Sequence, residues 1–222
     1  MKKSEILLKT TSLYLVYFLY TYFGSYIASL FSGVDNQLIM LLLDILFLIV
    51  IVLAYKQVLK KDVQILKKEY SVKKVLKIIA IGFFSIVLLN MIIAALGTLL
   101  FENVNMDQNT ASIQNLASLS MLYTVFKTMI FGVIAEELLF RESLSDLIEN
   151  NVLFVLISAI IYTIMNFVFT SEAFSISQIL AYFLPALLFG TIYVKNKRNI
   201  LFVMFTKFAY NIIPLIILLS GI

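Results

Sequence analysis

Seven stretches of nearly unbroken apolar sequence dominate this chain: residues 13–31, 38–55, 78–101, 116–135, 152–169, 178–194 and 200–219. A helix needs roughly 20 apolar residues, within about 17–25, to cross the hydrocarbon core of a bilayer. Within that core the backbone must satisfy its own hydrogen bonds, so an apolar run of this length folds as a helix. The rest of the composition agrees. Of the 222 residues, 62% are hydrophobic and 14% charged, with only two Pro and seven Gly, whereas a soluble domain sits near 45–50% apolar and about 25% charged. The expected fold class is an all-α polytopic membrane protein of about seven transmembrane helices.

Basic residues predict the orientation. Lys2, Lys3 and Lys9 precede the first span, eight lysines and two acids fill residues 56–77, Arg141 follows the fourth span, and Lys195, Lys197 and Arg198 form the last short loop. Fifteen of the 17 basic residues thus fall on one side, while the opposite loops at 32–37, 102–115 and 170–177 carry only Asp35, Glu102, Asp107 and Glu172. This partition predicts a cytoplasmic N-terminus. The first apolar run is long for a signal sequence and no small-residue cleavage site follows it, so it is expected to stay as a span. The basic segment 56–77 reads either as a surface helix on anionic lipid or, more plainly, as a loop that only sets topology. The fourth span is expected to continue as helix through 136–149, since neither Gly nor Pro interrupts it. Residues 1–222 read as one membrane domain, with three N-terminal spans in 1–115 and a motif-bearing core at 116–215.

The absence of Cys and His excludes disulfides, thiolate nucleophiles, His-type zinc sites and imidazole bases. Ionisable groups inside spans are costly, at least ~2.5–3.5 kcal/mol each, and mark candidate sites. They are Asp44, Lys127, Glu136, Glu137 and Lys207, with Asn90, Asn166 and Asn211 beside them. Glu137 and Arg141 stand at i,i+4 with the acid first, the favourable order for a helical ion pair; this leaves Glu136 to face elsewhere. Lys207 and Asn211 share one face of the seventh span. Tyr162 and Asn166 stand four apart in the fifth. Asp44 and Lys127 could pair across a polar path, although interhelical glue explains such a pair more simply.

Taken in order, Glu136-Glu137-x3-Arg141, Tyr162-x3-Asn166 and Lys207-x3-Asn211 resemble the EExxxR, FxxxH and HxxxN motifs of the CAAX-protease and bacteriocin-processing family (CPBP, or Abi) of intramembrane glutamic proteases. The resemblance covers about residues 116–215. It implies that Glu136 would activate water, that Asn211 would stabilise the oxyanion, and that Asn166 and Lys207 stand where the family has its two catalytic histidines. Asn cannot exchange a proton near neutral pH, and a Lys beside Glu136 is held as ammonium. A Lys207–Glu136 ion pair inside a vestigial catalytic cavity is therefore expected, with Tyr162 as a supporting residue and Glu137–Arg141 as a structural pair. No metal and no cofactor is implied.

The resemblance points to a pseudoprotease of a bacterial cell membrane, acting in bacteriocin self-immunity or as a regulatory partner of other membrane proteins. Its expected partners are membrane lipids and a membrane protein or hydrophobic peptide, not nucleic acid. The alternative is an active endopeptidase of the CAAX prenyl type in which Glu136 alone activates water. Transport is a third reading, disfavoured because no pair of broken helices marks a midplane site.

Overall fold

The computed structural model describes residues 3–31, 35–101, 121–168 and 176–220, and all the regular structure among them is helical. In chain order, α1 spans Lys3–Ser29, α2 Asn36–Ala54, α3 Lys56–Glu69 and α4 Val72–Phe101. Helix α5 runs over 121–145, followed by α6 (Asn151–Val168), α7 (Ile176–Lys195) and α8 (Ile200–Ser220). The acids assigned to the far-side loops at Glu102, Asp107 and Glu172, and the start of the fourth apolar run at 116–120, lie outside the described residues.

Among the described residues, two helical stretches, Asn36–Ala54 and Val72–Ala95, are long and apolar enough to cross a membrane, and Asn151–Phe167, Ile179–Lys195 and Ile200–Ile216 are shorter apolar helices. The packing is inverted relative to a soluble protein. Large apolar side chains such as Leu46, Leu53, Phe84, Met91, Leu122 and Val152 face outward, while Asp44, Glu137, Arg141 and Lys207 are buried. An outer surface this apolar is stable against lipid and not against water. The protein is therefore membrane-embedded.

Helix α5 is central. It touches α1, α2, α6 and α8, while α4 packs on α7 and α8, and α7 lies along α6. Phe131, Phe140, Phe154, Phe202 and Tyr193 form the heart of the shared core. Close approach is visible at Gly82 of α4, where an added Cβ would lie 2.7 Å from Thr206 Cγ2 and 3.0 Å from Ile192 Cδ1. Small residues let helix backbones meet this way in lipid.

Helix α5 is not uniform. Met121–Val125 and Gly132–Glu137 are α-helical, but Phe126–Phe131 and Leu138–Glu142 are π-helical, and Ser143–Ser145 closes the element. At the first junction the Gly132 N–H bonds to the Lys127 carbonyl, five residues back. Such π turns are rare and occur frequently at functional sites.

Two expectations need correction. The helix carrying Glu136 stops at Ser145, short of residue 149. Asn150 begins α6 instead, its Oδ1 accepting from the N–H groups of Val152 (2.9 Å) and Leu153 (3.1 Å). The turn before it is held from outside by Arg198, whose guanidinium donates to the carbonyls of Ser145, Ile148 and Glu149 and to Asn151 Oδ1. Lys197 and Arg198, in the turn between α7 and α8, adopt φ of 59° and 55°, a left-handed geometry unfavourable for side chains of their kind that the four Arg198 bonds offset.

The second correction concerns residues 56–77, for which the sequence favours a plain topology-setting loop. Residues 56–69 form α3, and Asp62 is buried beneath it. Asp62 Oδ2 accepts from the Ile200 N–H at 2.8 Å, and Asn199 Nδ2 donates to the Asp62 carbonyl at 2.9 Å. The start of α8 is thus capped by a carboxylate from a different helix, satisfying an N–H that has no intrahelical partner.

Candidate functional site

The π turns bracket the two carboxylates. Glu136 and Glu137 end the α-helical piece of α5, and the second π turn begins one residue later. Lys207, projecting from α8, places its Nζ 3.0 Å from Glu136 Oε2 and 2.8 Å from Glu137 Oε1. Arg141 Nη1 approaches the same Glu137 oxygen at 3.3 Å. The expected Lys207–Glu136 and Glu137–Arg141 pairs are both present, joined into one cluster because Lys207 also takes Glu137. Two carboxylates and two cations leave it with no net formal charge. That balance matters, since an unpaired charge in such a place costs several kcal/mol.

Aromatic rings wall the cluster. The Tyr162 ring lies 4.9 Å from Arg141 Cζ and 5.4 Å from Lys207 Nζ, and Phe189 lies 5.8 Å and 5.9 Å from the same atoms. Both cations therefore sit against π faces, which attract desolvated charge. Phe140 meets Tyr162 edge-on at 5.1 Å. Within this enclosure Glu137 Oε2 and Arg141 Nε and Nη2 are buried with no hydrogen-bond partner among the described residues.

The amides of Asn211 and Asn166 are bonded to backbone carbonyls. Asn211 Nδ2 donates to the Thr128 carbonyl, inside the first π turn, at 2.9 Å. Asn166 Nδ2 turns back to the Tyr162 carbonyl of its own helix at 2.8 Å. Neither amide makes a hydrogen bond to Glu136. Asn90 donates to Tyr210 Oη, tying α4 to α8. Asp44 and Lys127 pair at 2.8 Å, and Asp44 also accepts from Tyr20 Oη (3.1 Å) and Tyr123 Oη (3.2 Å). A buried carboxylate with this many donors is fully engaged in joining α1, α2 and α5, as interhelical glue is.

Sequence reasoning missed a second polar cluster at the end of α5 that bears Arg141. Tyr193 Oη donates to Glu142 Oε2 at 2.7 Å, and Thr10 Oγ1 donates to the Ser143 carbonyl at 2.9 Å. Burial raises the Glu142 carboxyl to about 7, against the lowering effect of the Tyr193 hydrogen bond and with help from the nearby negative charges of Asp62 and Asp146. Burial likewise raises Asp62, partly opposed by the bond from Ile200. Asn199, immediately before an apolar run, is a readable helix-start signal; nothing in the sequence ties Asp62 or Glu142 to it.

The core of this all-helical membrane protein thus holds adjacent carboxylates at one helix end, facing a cation that stands i,i+4 from an amide on a later helix. Residues 118–213 match the family model for type II CAAX prenyl endopeptidases of the Rce1-like kind. The matched segment contains Glu136, Glu137, Arg141, Tyr162, Asn166, Lys207 and Asn211, so the CAAX-protease resemblance of the motif-bearing segment is shown. No curated protein and no solved structure matches the chain.

Proposed function

We propose that the protein is a non-catalytic Rce1-like protein: a multi-pass protein of a bacterial membrane, seven spans with the N-terminus inside, that binds a membrane protein or hydrophobic peptide in the former catalytic cavity. Bacteriocin self-immunity and regulation of another membrane protein are the roles this reading assigns. The observation that carries it is Lys207, bridging Glu136 and Glu137 at 3.0 and 2.8 Å. A carboxylate activates water by accepting its proton, and an ammonium ion hydrogen-bonded to the carboxylate competes with water for its oxygen lone pairs. The amide of Asn166 cannot relay a proton, and Asn211 spends a donor on Thr128. General acid–base assistance is worth about 10²–10⁴-fold, so two lost positions remove most of the rate. The buried Arg141 edge and Glu137 Oε2 retain hydrogen-bonding capacity that a bound chain's polar backbone can use.

Activity is the second reading, favoured by Glu136 itself. Its side chain is 19% exposed, and Lys207 bonds only its Oε2. Purified protein incubated with a prenylated CAAX peptide separates the two. The pseudoprotease reading expects no cleavage by wild type, and equal protection against bacteriocin challenge by wild type and Glu136→Gln at equal membrane levels. A product made by wild type and lost in Glu136→Gln overturns it.

A further inference from the structure

The corner between α3 and α4, residues 56–77, sets eight lysines against two acids. All eight lysines of 56–77 are exposed. The two acids of the same segment offset little of this charge: Asp62 is buried against the start of α8, and Glu69, beside Lys68 and Lys74, pairs with Lys197 at 2.5 Å. At 100° per residue, Lys56, Lys60, Lys61, Lys67 and Lys68 occupy an arc of about 140° opposite the face that buries Asp62.

The position of α3 is set by its neighbours. It follows α2 after the single residue Tyr55 and precedes α4 by Tyr70 and Ser71. The two helices it joins are those of membrane-crossing length. Both ends of α3 therefore sit at the same membrane boundary, and its 14 residues, about 21 Å long, lie along that boundary instead of reaching into water. Headgroup phosphates are then within a Debye length of about 10 Å.

The first turns of α4 complete the surface. Val72 and Leu76 are 76% and 60% exposed, and Lys73 and Lys77 are exposed beside them. Each pair is i,i+4, so an apolar stripe and a cationic stripe run side by side on one outward face. Apolar anchors bordered by lysine are the pattern of a helix seated at the headgroup–acyl boundary.

We infer that the α3–α4 corner is a binding surface for anionic phospholipid headgroups, with Lys73, Lys77 and the α3 lysines meeting phosphate and Val72 and Leu76 entering the acyl layer. Because Asp62 joins α3 to the first N–H of α8, the lipid contact is seated on the element that caps the helix bearing Lys207 and Asn211.

The chain has no Trp, so one introduced Trp reports one place. Full-length Leu76→Trp and, near the opposite end of α2, Leu38→Trp are reconstituted into phosphatidylcholine vesicles containing equal fractions of brominated phosphatidylglycerol or brominated phosphatidylcholine. Quenching by brominated phosphatidylcholine at both positions reports insertion, independently of any protease reading. At Leu76→Trp the proposal expects a preference for phosphatidylglycerol of about fivefold or more, falling with added salt and abolished by Lys60, Lys67, Lys73 and Lys77→Gln together. The corresponding Lys→Arg set keeps it. Leu38→Trp shows none. Equal quenching by both lipids at Leu76→Trp overturns the proposal, including in favour of an acidic protein partner, as does a preference that survives the four Gln substitutions.

Discussion

Lys207 is the residue on which the cluster turns, because it alone touches both carboxylates. Lys207→Met leaves Glu136 without a cation and Glu137 with Arg141 only. Removing one partner of a buried pair costs about 3–5 kcal/mol, so the variant should melt well below wild type in detergent. Adding Glu136→Gln removes the stranded charge and recovers part of the loss, which a double-mutant cycle of thermal midpoints measures. A Lys207→Met protein as stable as wild type contradicts the ion-pair account. Glu142 contributes a pH dependence of its own. Its carboxyl is held near 7 in the folded protein against about 4.3 in an open chain, so the folded state binds the proton more tightly. Stability from this group is complete below about pH 4 and is lost as pH rises toward 7. Thermal midpoints taken between those limits should fall with pH by more in wild type than in Glu142→Gln; parallel curves refute the assignment.

Among the elements, α3 and α8 are coupled in a way that makes a specific demand on residue 62. Asp62→Ala removes the acceptor of the Ile200 N–H, and loss of a helix cap costs about 0.5–2 kcal/mol. Asp62→Asn keeps a side-chain carbonyl at the same place and should retain most of that stability. Amide hydrogen exchange at Ile200 is the direct readout: faster in Asp62→Ala, close to wild type in Asp62→Asn. The same element shows where sequence reading stops. Lysines alternating with apolar residues mark 56–77 as a surface segment, but the partner of Asp62 is 138 residues away, and no local period encodes that distance. Spacing within one helix was readable, as in Glu137–Arg141. Pairing between helices was readable only where a charge inside a span had to find its opposite, as Lys207 did. Amides carry no such compulsion, and Asn166 and Asn211 found backbone carbonyls instead.

For the whole molecule, the apolar exterior and buried charges were legible because bilayer thickness and the cost of bare ions leave few alternatives. The break at Ser145 was not, since it depends on Arg198 arriving from the far end of α7. The seven-span topology has a clean test, because the chain contains no Cys. Single substitutions Lys60→Cys and Lys195→Cys should react with a membrane-impermeant maleimide only from inside the cell, and Asp35→Cys only from outside. Labelling of Asp35→Cys and Lys60→Cys from the same side rules out that arrangement.

The two π turns of α5 bear on how such chains tolerate changes in length. An α turn closes its hydrogen-bonded ring over four residues and a π turn over five. Deleting one residue from an ordinary helix rotates everything beyond it by about 100° and would carry Glu136 away from Lys207. Within Phe126–Phe131 or Leu138–Glu142 the same deletion can be absorbed by relaxing the wide turn to an α turn. The carboxylates then keep their direction. Single-residue gaps are therefore to be allowed on either side of Glu136-Glu137 when such chains are aligned, in a stretch where a helix would ordinarily forbid them.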